Sequence, residues 1–158
     1  MTEINVIKGQ NTLKDATIGI VASEYNSSIV DRLLSSCTAK LVAAGIKKDS
    51  ITIAHVPGAF EIPVAVQRLL VAGKCDAVIA LGAIIRGETP HFEYIARECS
   101  HGLARLAIKH DVPVIFGVLT VDNIDQAMDR SGDEESNKGG EAAQAAIQMI
   151  NVMRKIQS

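Results

Sequence analysis

Tryptophan is absent from this 158-residue chain, and only five residues are aromatic: Tyr25, Phe60, Phe92, Tyr94 and Phe116. With 47% of the residues apolar, the interior must be packed from Ala, Ile, Val and Leu, side chains that suit strands buried on both faces beneath helices. Cysteine is scarce too. Cys37, Cys75 and Cys99 are odd in number, far apart and without a Cys-x-x-Cys pair, so they read as small buried apolar residues. No charge dominates: sixteen Lys+Arg against eighteen Asp+Glu leave a net charge of −2. Without a basic stripe the chain lacks the electrostatic footprint of a general nucleic-acid binder. The longest apolar run, Ala77 to Ile85, is interrupted by Gly82 and falls far short of the ~20 residues that span a bilayer. The first residues, Met1 to Asn5, carry neither a basic region nor an apolar signal core, so a cytoplasmic location is expected. The length fits one domain, 1–158, which buries roughly 70% of its extended surface and needs no metal or disulfide to hold a core.

What is present alternates. After an extended start at Ile4 to Ile7, strand-like Thr17 to Ala22 precedes apolar positions Ile29, Leu33, Leu34, Cys37, Leu41 and Ala44 at helical spacing, a helix that Gly45 closes. Three further cycles follow. Strand Ser50 to Val56 leads to a helix over Glu61 to Ala72, strand Ala77 to Ile85 to one over His91 to His110, and strand Val114 to Leu119 to a short one around Asn123 to Met128. A charged, glycine-rich loop from Arg130 to Gly140 precedes a last helix over Glu141 to Ile156. Strands alternating with helices give right-handed parallel β-α-β units, hence an α/β fold: a three-layer α/β/α sandwich on a four-stranded parallel sheet, with a short N-terminal strand.

Ligands of such sheets bind beyond the carboxyl ends of the strands. The loops there hold Tyr25, Phe60-Glu61 and the run from Arg86 to Tyr94, with Phe116 inside the fourth strand and Arg130 and Lys138 further on. Flat aromatic faces beside backbone amides favour a planar heteroaromatic ring. Gly87-x-Thr89 opens a long helix, where free N–H groups and the dipole attract an anion; the same turn also serves as a plain cap. His91 reads either as a capping histidine or as a general acid/base, since its unperturbed pKa near ~6.5 suits proton exchange at neutral pH. Glu61 is either a first-turn carboxylate or an acceptor for ring N–H groups. Neither a Walker A sequence nor G-x-G-x-x-G occurs, which disfavours ordinary nucleotide cradles. His55, His101 and His110 lack companions at metal spacing, and Asp133-Glu134-Glu135 reads as a solvated face.

Taken together, Pro57-Gly58-Ala59-Phe60-Glu61-Ile62-Pro63, Ala80-Leu81-Gly82-Ala83-Ile84-Ile85-Arg86-Gly87-Glu88-Thr89-Pro90-His91-Phe92-Glu93-Tyr94, Phe116-Gly117-Val118-Leu119-Thr120 and Asn137-Lys138-Gly139 resemble the 6,7-dimethyl-8-ribityllumazine synthase family. The resemblance runs in register from about Ile4 to Ile156. It implies a flavodoxin-like fold and the penultimate step of riboflavin biosynthesis. In that step 5-amino-6-(D-ribitylamino)uracil condenses with 3,4-dihydroxy-2-butanone 4-phosphate, releasing phosphate and water, with neither metal nor organic cofactor. It implies a homopentamer with sites between subunits, and no membrane or nucleic-acid partner.

Residue by residue, the resemblance assigns ring stacking to Tyr25 with Asn26 beside it, and pyrimidine binding to Ala59, Phe60 and Glu61 and to Ala83, Ile84 and Ile85. Glu88 and Thr89 fall on the phosphate turn, and His91 on the proton-transfer histidine. Phe116 and Lys138, on the pyrimidine side, and Arg130, on the phosphate side, match residues that a neighbouring subunit supplies. Phe92 and Tyr94 read as packing residues. Departures are Glu24 where an arginine is frequent, Tyr25 for Phe or Trp, and Glu88 for Gly or Ala. In the late loop Asp133-Glu134-Glu135-Ser136 replaces the Thr-Lys-Ala-Gly type of many sixty-subunit shells, which argues against the shell; a decamer stays open. A paralogue that holds lumazine or flavin without turnover would not require His91, Arg130 and Lys138 jointly. A receiver-type signalling module needs acidic residues at strand ends, and Ala77 to Ile85 and Val114 to Leu119 contain none.

Overall fold

The computed structural model describes residues 3–133 and 135–157. Glu134 of the acidic stretch lies outside them. Four strands, β1 (Ile18–Ser23), β2 (Ile51–Val56), β3 (Ala77–Ile85) and β4 (Val114–Val121), pair in the order β2-β1-β3-β4, every pairing parallel. The helices are α1 (Ser27–Ala43), α2 (Ile62–Val71), α3 (His91–His110), α4 (Ile124–Arg130) and α5 (Lys138–Gln157). Single 3-10 turns precede β2 (Lys48–Ser50) and α2 (Ala59–Glu61).

Period-two alternation divides the strands between two cores. Ala77, Ile79, Leu81 and Ala83 of β3 join Ile18, Ile20 and Ala22 of β1 in packing against α1 and α5. Val78, Ala80 and Ile84 face the other way, with Val21, against Ile62, Val66 and Leu70 of α2 and Cys99, Leu103 and Leu106 of α3. No aromatic residue is fully buried in either core, so the aliphatic interior anticipated from composition is what forms. Truncating a fully buried Leu such as Leu33 or Leu81 costs about 2–5 kcal/mol by lost transfer energy and the cavity left behind.

Two local features depart from the sequence reading. Residues Ile4 to Ile7 form no strand and take no part in the four-stranded ladder. The arm lies instead along α5. Asn151 Nδ2 donates to the carbonyls of Gln10 and Thr12 at 3.2 and 3.1 Å, and Lys155 Nζ to that of Lys8 at 2.7 Å. Ile4 and Val6 are left exposed. Secondly, α5 begins at Lys138, three residues before the expected start at Glu141. Asn137 is the cause: its Oδ1 accepts from the Gly139 N–H at 2.8 Å, satisfying one of the unpaired donors of a helix start. Gly139 then sits against α1 so closely that a Cβ there would lie 2.7 Å from Leu33 Cα.

Candidate active site

In the order β2-β1-β3-β4 the chain leaves β1 outward through α1 to β2 and then crosses back to β3. Crevices open at the carboxyl ends of strands where the order reverses in this way. A cleft of about 720 Å³ lies at that point. Ala83, Ile84 and Ile85, the last residues of β3, form its floor, and the loops after β1, β2 and β3 form its walls.

Each wall has a local cause. The loop after β1 is tied to the loop after β2 by backbone bonds, Glu24 N–H to Val56 O at 2.8 Å and Tyr25 N–H to Pro57 O at 3.0 Å. Asn26 follows in the left-handed region, φ 59°, which Asn tolerates better than most residues. That conformation starts α1 two residues before its first buried residue, Ile29. The Asn26 amide donates to Ala83 O at 2.8 Å, so the side chain clamps the wall to the floor. Beyond β2 the turn at Gly58 presents Phe60 and Glu61, both exposed, and buries Ala59. Tyr25 and Phe60 are 74% and 58% exposed, which leaves their rings free to stack on a planar partner.

The third wall is the turn into α3. Gly87, Thr89 and His91 line the cleft, with Phe92 and Ile95 behind them. No side chain caps α3; Thr89 Oγ1 stands 3.5 Å from the His91 amide, too long to satisfy it fully. The Glu93 N–H is already taken by Pro90 O at 3.0 Å, so what this turn offers the cavity lined by His91 is the weakly held His91 amide and the positive end of a twenty-residue helix dipole.

Ten of the residues singled out in the sequence thus share one cleft: Tyr25, Asn26, Ala59, Phe60, Glu61, Ala83, Ile84, Ile85, Thr89 and His91. Four do not. Glu88 is exposed beside the turn. Phe116 pairs with Ala80 in the ladder, three residues below the floor at Ala83, or roughly 10 Å along the strand; it is exposed on the edge strand. Arg130 ends α4, its Nη1 donating to Gln126 O at 3.1 Å, and Lys138 at the start of α5 is paired with Glu141 at 2.8 Å. Arg130 and Lys138 do not line the cleft of their own chain.

A family model described as 6,7-dimethyl-8-ribityllumazine synthase matches residues 15–154. The chain belongs to this family. Lumazine synthases are transferases of riboflavin biosynthesis, and every cleft-lining residue named above falls within the matched span.

Sequence reasoning gave no site role to three members of the lumazine synthase cleft, Pro57, Gly58 and Ile95, and read a fourth, Phe92, as packing alone. Pro57 and Gly58 directly follow a strand end, which is signal enough. Ile95 lies four residues after His91 on one helix face. Phe92 serves two ends, lining the cleft while packing on the second core. Tyr94 points away, its ring beneath the Arg97 guanidinium at 5.4 Å.

Proposed function

We propose that this protein condenses 5-amino-6-(D-ribitylamino)uracil with 3,4-dihydroxy-2-butanone 4-phosphate to form 6,7-dimethyl-8-ribityllumazine, releasing phosphate and water. The observation that carries the reading is the meeting of three chemistries in one cleft of a lumazine synthase chain: exposed aromatic faces, an uncapped helix start and a histidine between them. In this reading the pyrimidine lies along Ala83 to Ile85, with Tyr25 or Phe60 against its face. Glu61 and the neighbouring backbone take its polar edge. The phosphate sits at Thr89, where helix N–H groups neutralise it.

Amine attack on the ketone gives a carbinolamine and then an imine. His91 carries protons between the attacking nitrogen and the departing oxygen in those steps. Phosphate leaves, the second nitrogen closes the ring, and water is lost. Holding two mutually reactive substrates in register supplies much of the acceleration.

The reading includes a homopentamer in which a neighbouring copy completes each cleft with Phe116, Arg130 and Lys138. Its support is that these residues lie outside the cleft of their own chain, and that Phe116 is an exposed aromatic on an unpaired sheet edge. Mixing the purified protein with both substrates and following lumazine fluorescence tests the activity; no rise above the uncatalysed rate refutes it. Mass photometry tests the assembly, with a particle of five times 16.8 kDa expected; a monomer refutes it, and a decamer or shell extends it.

A further inference from the structure

Arg86 stands one residue before the proposed phosphate turn, where a cation would ordinarily be taken for a phosphate ligand. Its partners say otherwise. Nε donates to Asp122 Oδ1 at 2.9 Å and Nη1 faces Glu93 Oε1 at 3.5 Å. The guanidinium carbon lies 4.6 Å from the centroid of the Phe92 ring, and the backbone N–H donates to Val121 O at 2.9 Å. Two carboxylates and a ring face therefore occupy the fork. They come from different elements: Asp122 follows β4, while Phe92 and Glu93 belong to the first turn of α3.

That arrangement brackets the turn. Gly87 to Pro90 leaves β3 after Arg86 and enters α3 just before Phe92 and Glu93. Residues 87–90 are all exposed and a Cβ on Gly87 would meet nothing within 4 Å, so packing does little to hold the turn in place. Arg86 holds both of its ends instead. We infer that Arg86, anchored by Asp122, is a positioning residue that fixes the phosphate turn and His91 against the sheet end, and is not itself a phosphate ligand. This rests on the proposed placement of phosphate at Thr89.

The decisive comparison is between Arg86→Gln and Asp122→Ala, because two explanations predict opposite signs for the second. If Arg86 acts only through its charge, deleting the nearby negative Asp122 raises the local potential and tightens phosphate binding. If Arg86 acts as a brace, losing its anchor loosens the turn and weakens it. Both residues are exposed, so neither variant threatens the fold, and melting temperatures serve as the control. The readouts are the KM of each substrate and, independently of turnover, the Kd of inorganic phosphate by titration calorimetry.

Both variants are expected to raise the phosphate Kd and the KM of the butanone phosphate roughly three- to tenfold while leaving the pyrimidine KM within about twofold. Arg86→Lys, which keeps the cation but lacks the fork, recovers only part of the loss. An unchanged or tighter Kd in Asp122→Ala overturns the brace, as does an equal rise in both KM values. If the wild type binds phosphate but forms no lumazine, and both variants still weaken phosphate, the brace stands and the proposed reaction falls. A wild type that neither turns over nor binds phosphate overturns both.

Discussion

Asn137 is almost wholly buried, 2% exposed, and its amide spends both ends. Nδ2 donates to the carbonyls of Ser131 at 3.0 Å and Gly132 at 3.2 Å, with a longer approach to Arg32 O at 3.4 Å. Oδ1 takes the Gly139 N–H at 2.8 Å. Replacing it by Ala strands two buried backbone groups, the Gly139 donor and the Ser131 acceptor, each at about 1–3 kcal/mol. Some relaxation will admit water, so the expected loss is about 3 kcal/mol. For a chain of this size, with a urea slope of about 2 kcal/mol per M, the midpoint drops by about 1.5 M. Wild type and variant are compared at one protein concentration, so that any association contributes equally. Asn137→Asp keeps the helix-capping oxygen and loses the donor, and should fall between the two. A midpoint shift below about 0.3 M in Asn137→Ala would mean that these hydrogen bonds are not what fixes the start of α5.

Other expectations concern the site and the core. His91→Ala should lower turnover by up to about a hundredfold while leaving activity above the uncatalysed rate, since orientation of the two substrates survives; wild-type turnover in the fluorescence assay removes His91 from proton transfer. Arg130→Ala should chiefly raise the KM of the butanone phosphate, and an unchanged KM takes Arg130 out of the site. Gly139→Ala should destabilise the fold by about 1–3 kcal/mol through its collision with the Leu33 backbone, read as a fall in urea midpoint; a rise would show that α1 yields. Burial pushes the Cys37 thiol up to about 12 and that of Cys99 to about 11, so neither should react with iodoacetamide at pH 8 until urea unfolds the chain. Their raised folded-state values have a consequence for pH. The native state keeps protons that the unfolded thiols lose above their ordinary value of 9.0, so this contribution is intact below pH 9 and is lost between pH 9 and about 12. A Cys37→Ala variant should flatten that fall, and an unchanged slope contradicts it.

Much of the fold was legible because β1 and β3 are short branched-aliphatic runs bounded by polar turns, a pattern buried parallel strands share with little else. The helix starts were less legible. Those of α1 and α5 depend on Asn26 in the left-handed region and on the reach of Asn137 to Gly139, neither of which leaves a mark in hydrophobic periodicity. For the cleft, strand-end position was sufficient to bring Tyr25, Phe60 and His91 to attention. Arg86 went unassigned because its partner Asp122 lies thirty-six residues away, a proximity created by β3 and β4 pairing through Ile85 and Val121. Phe116 was noticed for its rarity, yet only the ladder register reveals how far below the floor it starts.

The floor of the cleft ends the strand that both cores grip, Ala83 facing one and Ile84 the other. A side chain there cannot be enlarged without disturbing packing on one side of the sheet, and a bound ring cannot push it aside. The walls are different: Tyr25 and Phe60 are open to solvent and touch little. Such a cavity has one fixed reference surface and adjustable sides. Changes of ligand shape during evolution or engineering should therefore accumulate at positions like 25 and 60, while 83–85 stay small or aliphatic whatever molecule the rim is retuned to accept.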